Sequence, residues 1–142
     1  MKLKPKKSLG QNFLIDDNVI NIITNLGNIN ENSTILEIGP GTGNLTEKLI
    51  LKKPKKIILV EKDKNLSKNL KNKFNDEVEV INKDFLDFSI IDRKYKNLSI
   101  FGNLPYNVAS EILIKIIKSN KGFNYEKLVF MFQKEVAERI IA

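Results

Sequence analysis

Residues 33–53 read "STILEIGPGTGNLTEKLILKK", and the fold turns on how they are parsed. The aliphatic run up to Ile38 has the composition of a short buried strand. The glycines of "GPGTG" at 39–43 then force a tight turn. After them, "NLTEKLILKK" has helical character, and Asn44 with Glu47 three residues on forms a candidate N-terminal cap. The unit is therefore strand, tight loop, helix.

The same alternation continues on both sides. Upstream, "DDNVINIITNLG" carries Val19, Ile20, Ile22, Ile23 and Leu26 between leading aspartates and Gly27, the pattern of a short capped helix. Downstream, "KKIILVEKD" predicts a second strand and "KNLSKNLKNKF" a second helix with Leu66, Leu70 and Phe74 on one face. "EVEVINKD" predicts a third strand followed by a loop through "FLDFSI". "LSIFGN" is a fourth strand, "ASEILIKIIKS" a helix, "KLVFMF" a fifth strand, and "QKEVAERIIA" the opening of another helix. Short apolar strands alternating with amphipathic helices specify an α/β fold of βα units wound on a parallel sheet. Ligands of such folds bind at the carboxyl ends of the strands. Those ends fall at residues 39–43, 61–63, 84–86, 103–106 and 133–135.

Composition narrows the chemistry. At 142 residues and 42% hydrophobic content the chain suits one domain. Its longest aliphatic run is residues 57–60, and the amino-terminal lysines precede no apolar segment, so neither a membrane span nor a signal peptide is expected and the location is expected to be cytoplasmic. The absence of Cys and His excludes a Ser/His/Asp triad, a thiolate nucleophile, a zinc cluster and an imidazole acid or base. It also excludes the thiol attack that cytosine C5 methylation needs. No metal site is expected. The formal charge of +7, from 24 basic and 17 acidic residues, favours an anionic partner, most economically nucleic acid. Nearly all the basic residues are lysines, concentrated at Lys2, Lys4, Lys6 and Lys7 and in "KKPKK" at 52–56, which suits backbone contact more than base reading. A solvated lysine-rich surface would read the same way.

The loop "GPGTG" lacks the third glycine of a dinucleotide fingerprint, since the sixth motif position is Asn44, and no Walker lysine follows it. Glu61 closes the second strand about twenty residues later, where an acid accepts the hydroxyls of a bound ribose. Asp84, at the end of the third strand, is placed to accept from an adenine amino group. Two acids for ribose and base, with a loop open to close backbone approach, suit S-adenosylmethionine. "FGNLPYN" at 101–107 could be a plain turn with Tyr106 covering the core edge. It also fits amine methylation: Asn103 and the Leu104 carbonyl accept the hydrogens of an adenine amine, Pro105 stiffens the turn and Tyr106 stacks on the flipped base.

These segments resemble the catalytic domain of the small-subunit ribosomal RNA adenine N6,N6-dimethyltransferases, and are similar to the macrolide-resistance methyltransferases of large-subunit rRNA. "KKSLGQNFL", "EIGPGTGNLT", "VEKD", "NKDFLDF", "FGNLPYN" and "QKEVAERI" occur in family order between Lys6 and Ala142. The resemblance implies a Rossmann-like class I S-adenosylmethionine-dependent methyltransferase, with helices on both faces of a largely parallel sheet. It places cofactor contacts at Asn12, Leu14, Gly39, Glu61, Asp84 and Asn103, with Gln11 and Gly41 in support. The catalytic positions are Asn103, Leu104, Pro105 and Tyr106. The implied reaction is dimethylation of two adjacent adenines in a hairpin loop of small-subunit rRNA, within an immature ribosomal subunit. A non-catalytic RNA-binding assembly factor and a large-subunit rRNA or DNA adenine methyltransferase are the alternatives. Because the family continues with further strands and a small helical domain, residues 1–142 are expected to be a partial catalytic domain whose sheet is incomplete at the carboxyl end.

Overall fold

Five strands, β1 (Thr34–Ile38), β2 (Lys56–Glu61), β3 (Glu79–Asn82), β4 (Leu98–Asn103) and β5 (Tyr125–Met131), form one sheet in the order β3-β2-β1-β4-β5. Every neighbouring pair is parallel. A computed structural model of the chain describes residues 17–89, 95–104, 109–119 and 125–131. The helices are α1 (Asp17–Leu26), α2 (Asn44–Leu51), α3 (Lys64–Phe74) and α4 (Ala109–Ser119). The chain winds outward from β1 through β2 to β3, then returns to β4 on the other side of β1. The winding thus reverses between β1 and β4, where open α/β sheets bind their ligands.

Alternation along the strands divides the core in two. Leu36, Ile38, Ile58, Val60, Leu98 and Ile100 pack with Ile112 and Ile116 of α4 and with Phe85 and Phe88. On the opposite face, Ile35, Ile57, Leu59 and Phe101 pack with Ile20 and Ile23 of α1, Leu45 and Leu49 of α2, and Leu70 and Phe74 of α3. Covering both faces explains why β1 and β2 read as near-continuous apolar runs. Each fully buried aliphatic side chain contributes roughly 1.5–3 kcal/mol, so these two clusters are the main stabilising term.

Local signals in the sequence match most boundaries. Asp63 caps α3 by accepting from the Leu66 amide at 2.9 Å, and Leu66, Leu70 and Phe74 line its buried side. In α1 the Thr24 hydroxyl donates to the Ile20 carbonyl at 2.7 Å, which lets a polar residue sit on the buried face. Two details differ from expectation. The cap of α2 is Gly43, in the left-handed region at φ 89° and with no side-chain cap bond, and Asn44 is already helical. A Cβ on Gly43 would stand 2.7 Å from the Phe74 ring, so packing against α3 requires glycine there whatever Asn44 could offer as a cap. β3 stops at Asn82 rather than running to Asp84, and residues 85–87 form a 3-10 turn within the expected loop.

The expected helix at 133–142 lies outside the described residues, as do the strand end at 133–135 and the basic amino-terminal arm. Among the described residues no helix is long and apolar enough to cross a membrane. The second lysine cluster sits at the amino edge of the sheet, between the end of α2 and the start of β2, away from the glycine loop.

Candidate functional site

Strand register brings the carboxyl-edge residues level with one another. Ile38 pairs with Val60 on one side and Gly102 on the other, so Gly39 stands beside both Glu61 and Asn103. The Gly39 amide donates to the Val60 carbonyl at 2.9 Å, which extends the β1–β2 ladder into the loop. Gly39 then turns at φ 65°, a conformation glycine adopts without penalty. A Cβ built on it would lie 3.8 Å from the Asn103 carbonyl oxygen, an ordinary contact, so the positive φ rather than space calls for glycine and the loop backbone stands beside the end of β4.

Glu61 organises this opening. Its Oε1 accepts from the Gly41 amide at 3.1 Å and its Oε2 accepts from the Asp63 amide at 2.9 Å. One carboxylate thereby joins the loop after β1 to the turn after β2. The Glu61 carbonyl is fixed in turn by the Lys83 amide at 3.1 Å, the Asn82 side-chain amide at 2.9 Å and the Ser67 hydroxyl at 3.1 Å. Burial pushes the Glu61 carboxyl above the usual carboxylate range; the Asp63 and Gly41 amides pull it down, and the neighbouring Asp63 charge raises it again.

Asp84 lies beyond β3 and begins the 3-10 turn, with Oδ1 accepting from the Leu86 amide at 3.0 Å. Its Oδ2 is 3.4 Å from the Lys62 ammonium in a partly exposed pair that is worth little to stability. Asn103, half-buried, ends β4, and Leu104 is buried behind it. From β3 to β4 the carboxyl edge crosses three strand spacings, about 14 Å. The structure thus brings Gly39, Gly41, Glu61, Asp84, Asn103 and Leu104 to one edge of the sheet. Asn12, Leu14, Gln11, Pro105 and Tyr106 lie outside the described residues. Among the described residues, no group of three or more His, Cys, Asp or Glu side chains is arranged to hold a metal ion.

One acid beneath the loop went unassigned in the sequence. Glu37 faces α2 from β1, is buried, and accepts from the Thr46 hydroxyl at 2.6 Å. Burial pushes its pKa from 4.5 to about 8; the Thr46 bond opposes the shift and the Glu61 charge adds to it. The available signal was an acid inside a strand that is otherwise apolar, at the spacing that shares a face with Ile35.

The whole of this edge lies within a region matched by the ribosomal RNA adenine dimethylase family model, over residues 2–142. The chain belongs to that family. It is 52% identical over 143 residues to ribosomal RNA small subunit methyltransferase A of Pelagibacter ubique, a match that covers 100% of this chain and 54% of the relative. The methyltransferase A of Mycoplasmopsis synoviae is 49% identical over 138 residues, covering 96% and 52% of the two chains. The chain thus spans about half the length of the curated relatives it matches. Among solved structures, a dimethyladenosine transferase from Plasmodium falciparum superposes with TM-score 0.78 at 30% identity, over 92% of this chain and 46% of that one. The 23S rRNA methyltransferase ErmE superposes with TM-score 0.69 at 26% identity, over 89% and 50%. The five parallel strands and their flanking helices are therefore those of a Rossmann-like class I methyltransferase.

Proposed function

We propose that this chain binds S-adenosylmethionine along the carboxyl edge of β1 to β4 and contributes the catalytic domain of an rRNA adenine N6,N6-dimethyltransferase. In this reading residues 1–142 are the amino-terminal methyltransferase portion. The substrate is a pair of adjacent adenines in a hairpin loop of small-subunit rRNA, met within an immature subunit in the cytoplasm. The observation that carries the reading is the Glu61 carboxylate, buried at the end of β2 and tied to the Gly41 and Asp63 amides at the carboxyl edge, where an acid accepts ribose hydroxyls. The residues present fit the cofactor: the bare Gly39 backbone turns beside Asn103, the Glu61 carboxylate stands next to it, and Asp84 offers a carboxylate at the far side for the adenine amine.

When bound, the cofactor supplies an electrophilic methyl group on a sulfonium. The chain's own residues do the rest. An exocyclic adenine amine is a weak nucleophile because its lone pair is delocalised into the ring. In the first transfer the Asn103 side-chain oxygen and the Leu104 carbonyl accept the amine's two hydrogens, which turns the lone pair out of the ring. The methylated nitrogen then loses one proton to solvent, and in the second transfer a single acceptor holds the one remaining hydrogen. Both acceptors matter more as the nitrogen becomes cationic, so they stabilise the transition state over the ground state. Pro105 stiffens the segment carrying the Leu104 carbonyl, and Tyr106 offers a face for the extruded base. Asn12 and Leu14, from the amino-terminal arm, complete the cofactor contacts, and the Lys-rich arm supplies phosphate contacts.

The test is incubation of the full-length protein with isotopically labelled cofactor and immature small subunits, followed by mapping of methylated positions. Two adjacent N6,N6-dimethylated adenines are expected. Cofactor binding without transfer to any RNA would assign a binding role instead, and failure to bind the cofactor would overturn the reading.

A further inference from the structure

The ammonium of Lys115, on α4, donates to the carbonyl oxygens of Phe85 at 2.6 Å, Leu86 at 2.8 Å and Phe88 at 2.6 Å. Three hydrogens meet three acceptors, which is the full donor capacity of a lysine. The carbonyls belong to the 3-10 turn Phe85–Asp87 and to the residue that closes it. Carbonyls at the end of a short helical turn have few partners within the turn, and a cation is the donor that suits them best. The Phe85 ring lies 5.2 Å from the same ammonium. Ile112 and Ile116, on the same helix, are buried together with Phe85 and Phe88, so the contact is anchored on apolar packing. The ammonium is half-buried, and desolvation lowers its pKa; the charges of Asp87 and Asp84 oppose that shift and Lys83 adds to it.

Asp84 begins the turn that Lys115 clamps, and α4 is the helix that follows the "FGNLPYN" segment. We propose that Lys115 is a positioning residue for the adenine-reading end of the cofactor site, holding the 84–88 turn against α4 so that Asp84 meets the 6-amino group of the bound nucleoside. One side chain thereby registers the β3 side of the site against the β4 side. The inference rests on the cofactor reading given above.

A purely structural clamp would weaken every ligand alike, and a positioning role would not. The measurement is calorimetric binding of S-adenosylhomocysteine and of S-inosylhomocysteine, which replaces the 6-amino group by an oxygen, to the full chain and to Lys115→Met and Lys115→Arg. Losing a hydrogen bond to a charged acceptor makes the native chain prefer the adenosyl ligand by roughly tenfold or more. Lys115→Met is expected to reduce that preference to about twofold while binding of the inosyl ligand changes little. Lys115→Arg is expected to fall between the two, because a planar guanidinium cannot converge on three carbonyls. An unchanged preference in a folded Lys115→Met overturns the proposal, and Lys115→Arg decides in the same way should the methionine variant not fold. Equal binding of both ligands to the native chain removes Asp84 from the adenine and overturns the inference while leaving cofactor binding intact. No binding of either ligand to the native chain refutes the cofactor reading itself.

Discussion

Glu37→Gln tests whether a carboxylic acid is held protonated beneath the glycine loop. The native carboxyl, buried on β1, keeps its proton up to about pH 8, whereas in the unfolded chain it loses it near pH 4.5. Throughout that interval the folded chain binds more protons than the unfolded one, so stability is greatest below it and falls as pH rises through it. One pH unit inside the interval costs about 1.4 kcal/mol, so going from pH 6 to pH 8 removes about 2 kcal/mol, the last half-unit counting less as the native group begins to ionise. Glutamine cannot ionise and still offers an oxygen to the Thr46 hydroxyl. Urea unfolding at pH 6, 7 and 8 should therefore show the native chain losing about 2 kcal/mol relative to Glu37→Gln. Glu61 is shifted in the same direction, but it is present in both proteins and largely cancels in the difference. Thr46→Val should extend the window upward, since the Thr46 bond is what lowers the Glu37 pKa. Parallel stability curves for the native chain and Glu37→Gln would show that the acid is ionised in the fold and that the burial argument fails.

Asn103→Ala should lower methyl transfer on the order of 10²–10³-fold while cofactor affinity measured by calorimetry changes much less, because its acceptor acts on the developing charge. Glu61→Ala should weaken S-adenosylmethionine binding at least about tenfold. Glu61→Gln should be nearly as damaging, because an amide NH₂ would replace one of the two oxygens that accept from Gly41 and Asp63. An unaltered dissociation constant in either variant would move the ribose elsewhere. Gly43→Ala should cost about 2–4 kcal/mol in chemical denaturation, from the positive φ and from overpacking against Phe74. Adding Phe74→Leu should return the steric part of that loss, and strict additivity of the two changes would argue against the contact.

What the sequence shows and what it hides separate along the range of the interactions involved. The strand at 34–38, the loop and α2 are legible because period, turn residues and helix formers lie in one continuous stretch. The bounds of α3, β4 and α4 are legible for the same reason. The cap of α2 is not, because the residue needed at 43 is set by Phe74 on another helix, and no local rule favouring Asn44 can see that ring. β3 ends at Asn82, whose side chain reaches back to the Glu61 and Lys62 carbonyls while the Lys83 amide is shared between the Glu61 and Ile81 carbonyls. Glu61 could be found from its spacing after the loop, but its bond to Gly41 could not. Lys115 was invisible for a stronger reason. Its three acceptors are backbone oxygens 27 to 30 residues away, which carry no residue-type signature.

The hidden contacts share a consequence for how the site is held. The glycine loop is fastened from outside by Glu61 to the Gly41 amide, by Glu37 to Thr46 at the start of α2, and by the Lys73 ammonium, which donates to the Thr42 carbonyl at 3.2 Å and pairs with Glu47. The turn after β3 is fastened by Lys115, and Asp84 caps it from within. The glycine loop and the turn after β3 are thus each restrained by residues the cofactor need not touch, Glu37 and Lys73 for the first and Lys115 for the second. Such restraint lowers the ordering entropy that binding must overcome, which is roughly 0.5–1.5 kcal/mol for each side chain that would otherwise be immobilised. The Glu61 charge raises the proton affinity of Glu37, and the Asp63 charge raises that of Glu61, so negative charge is crowded under the loop. A ligand bearing positive charge relieves that crowding, whereas an anionic nucleotide would aggravate it. The arrangement that stiffens the loop therefore also selects the sign of the charge placed above it.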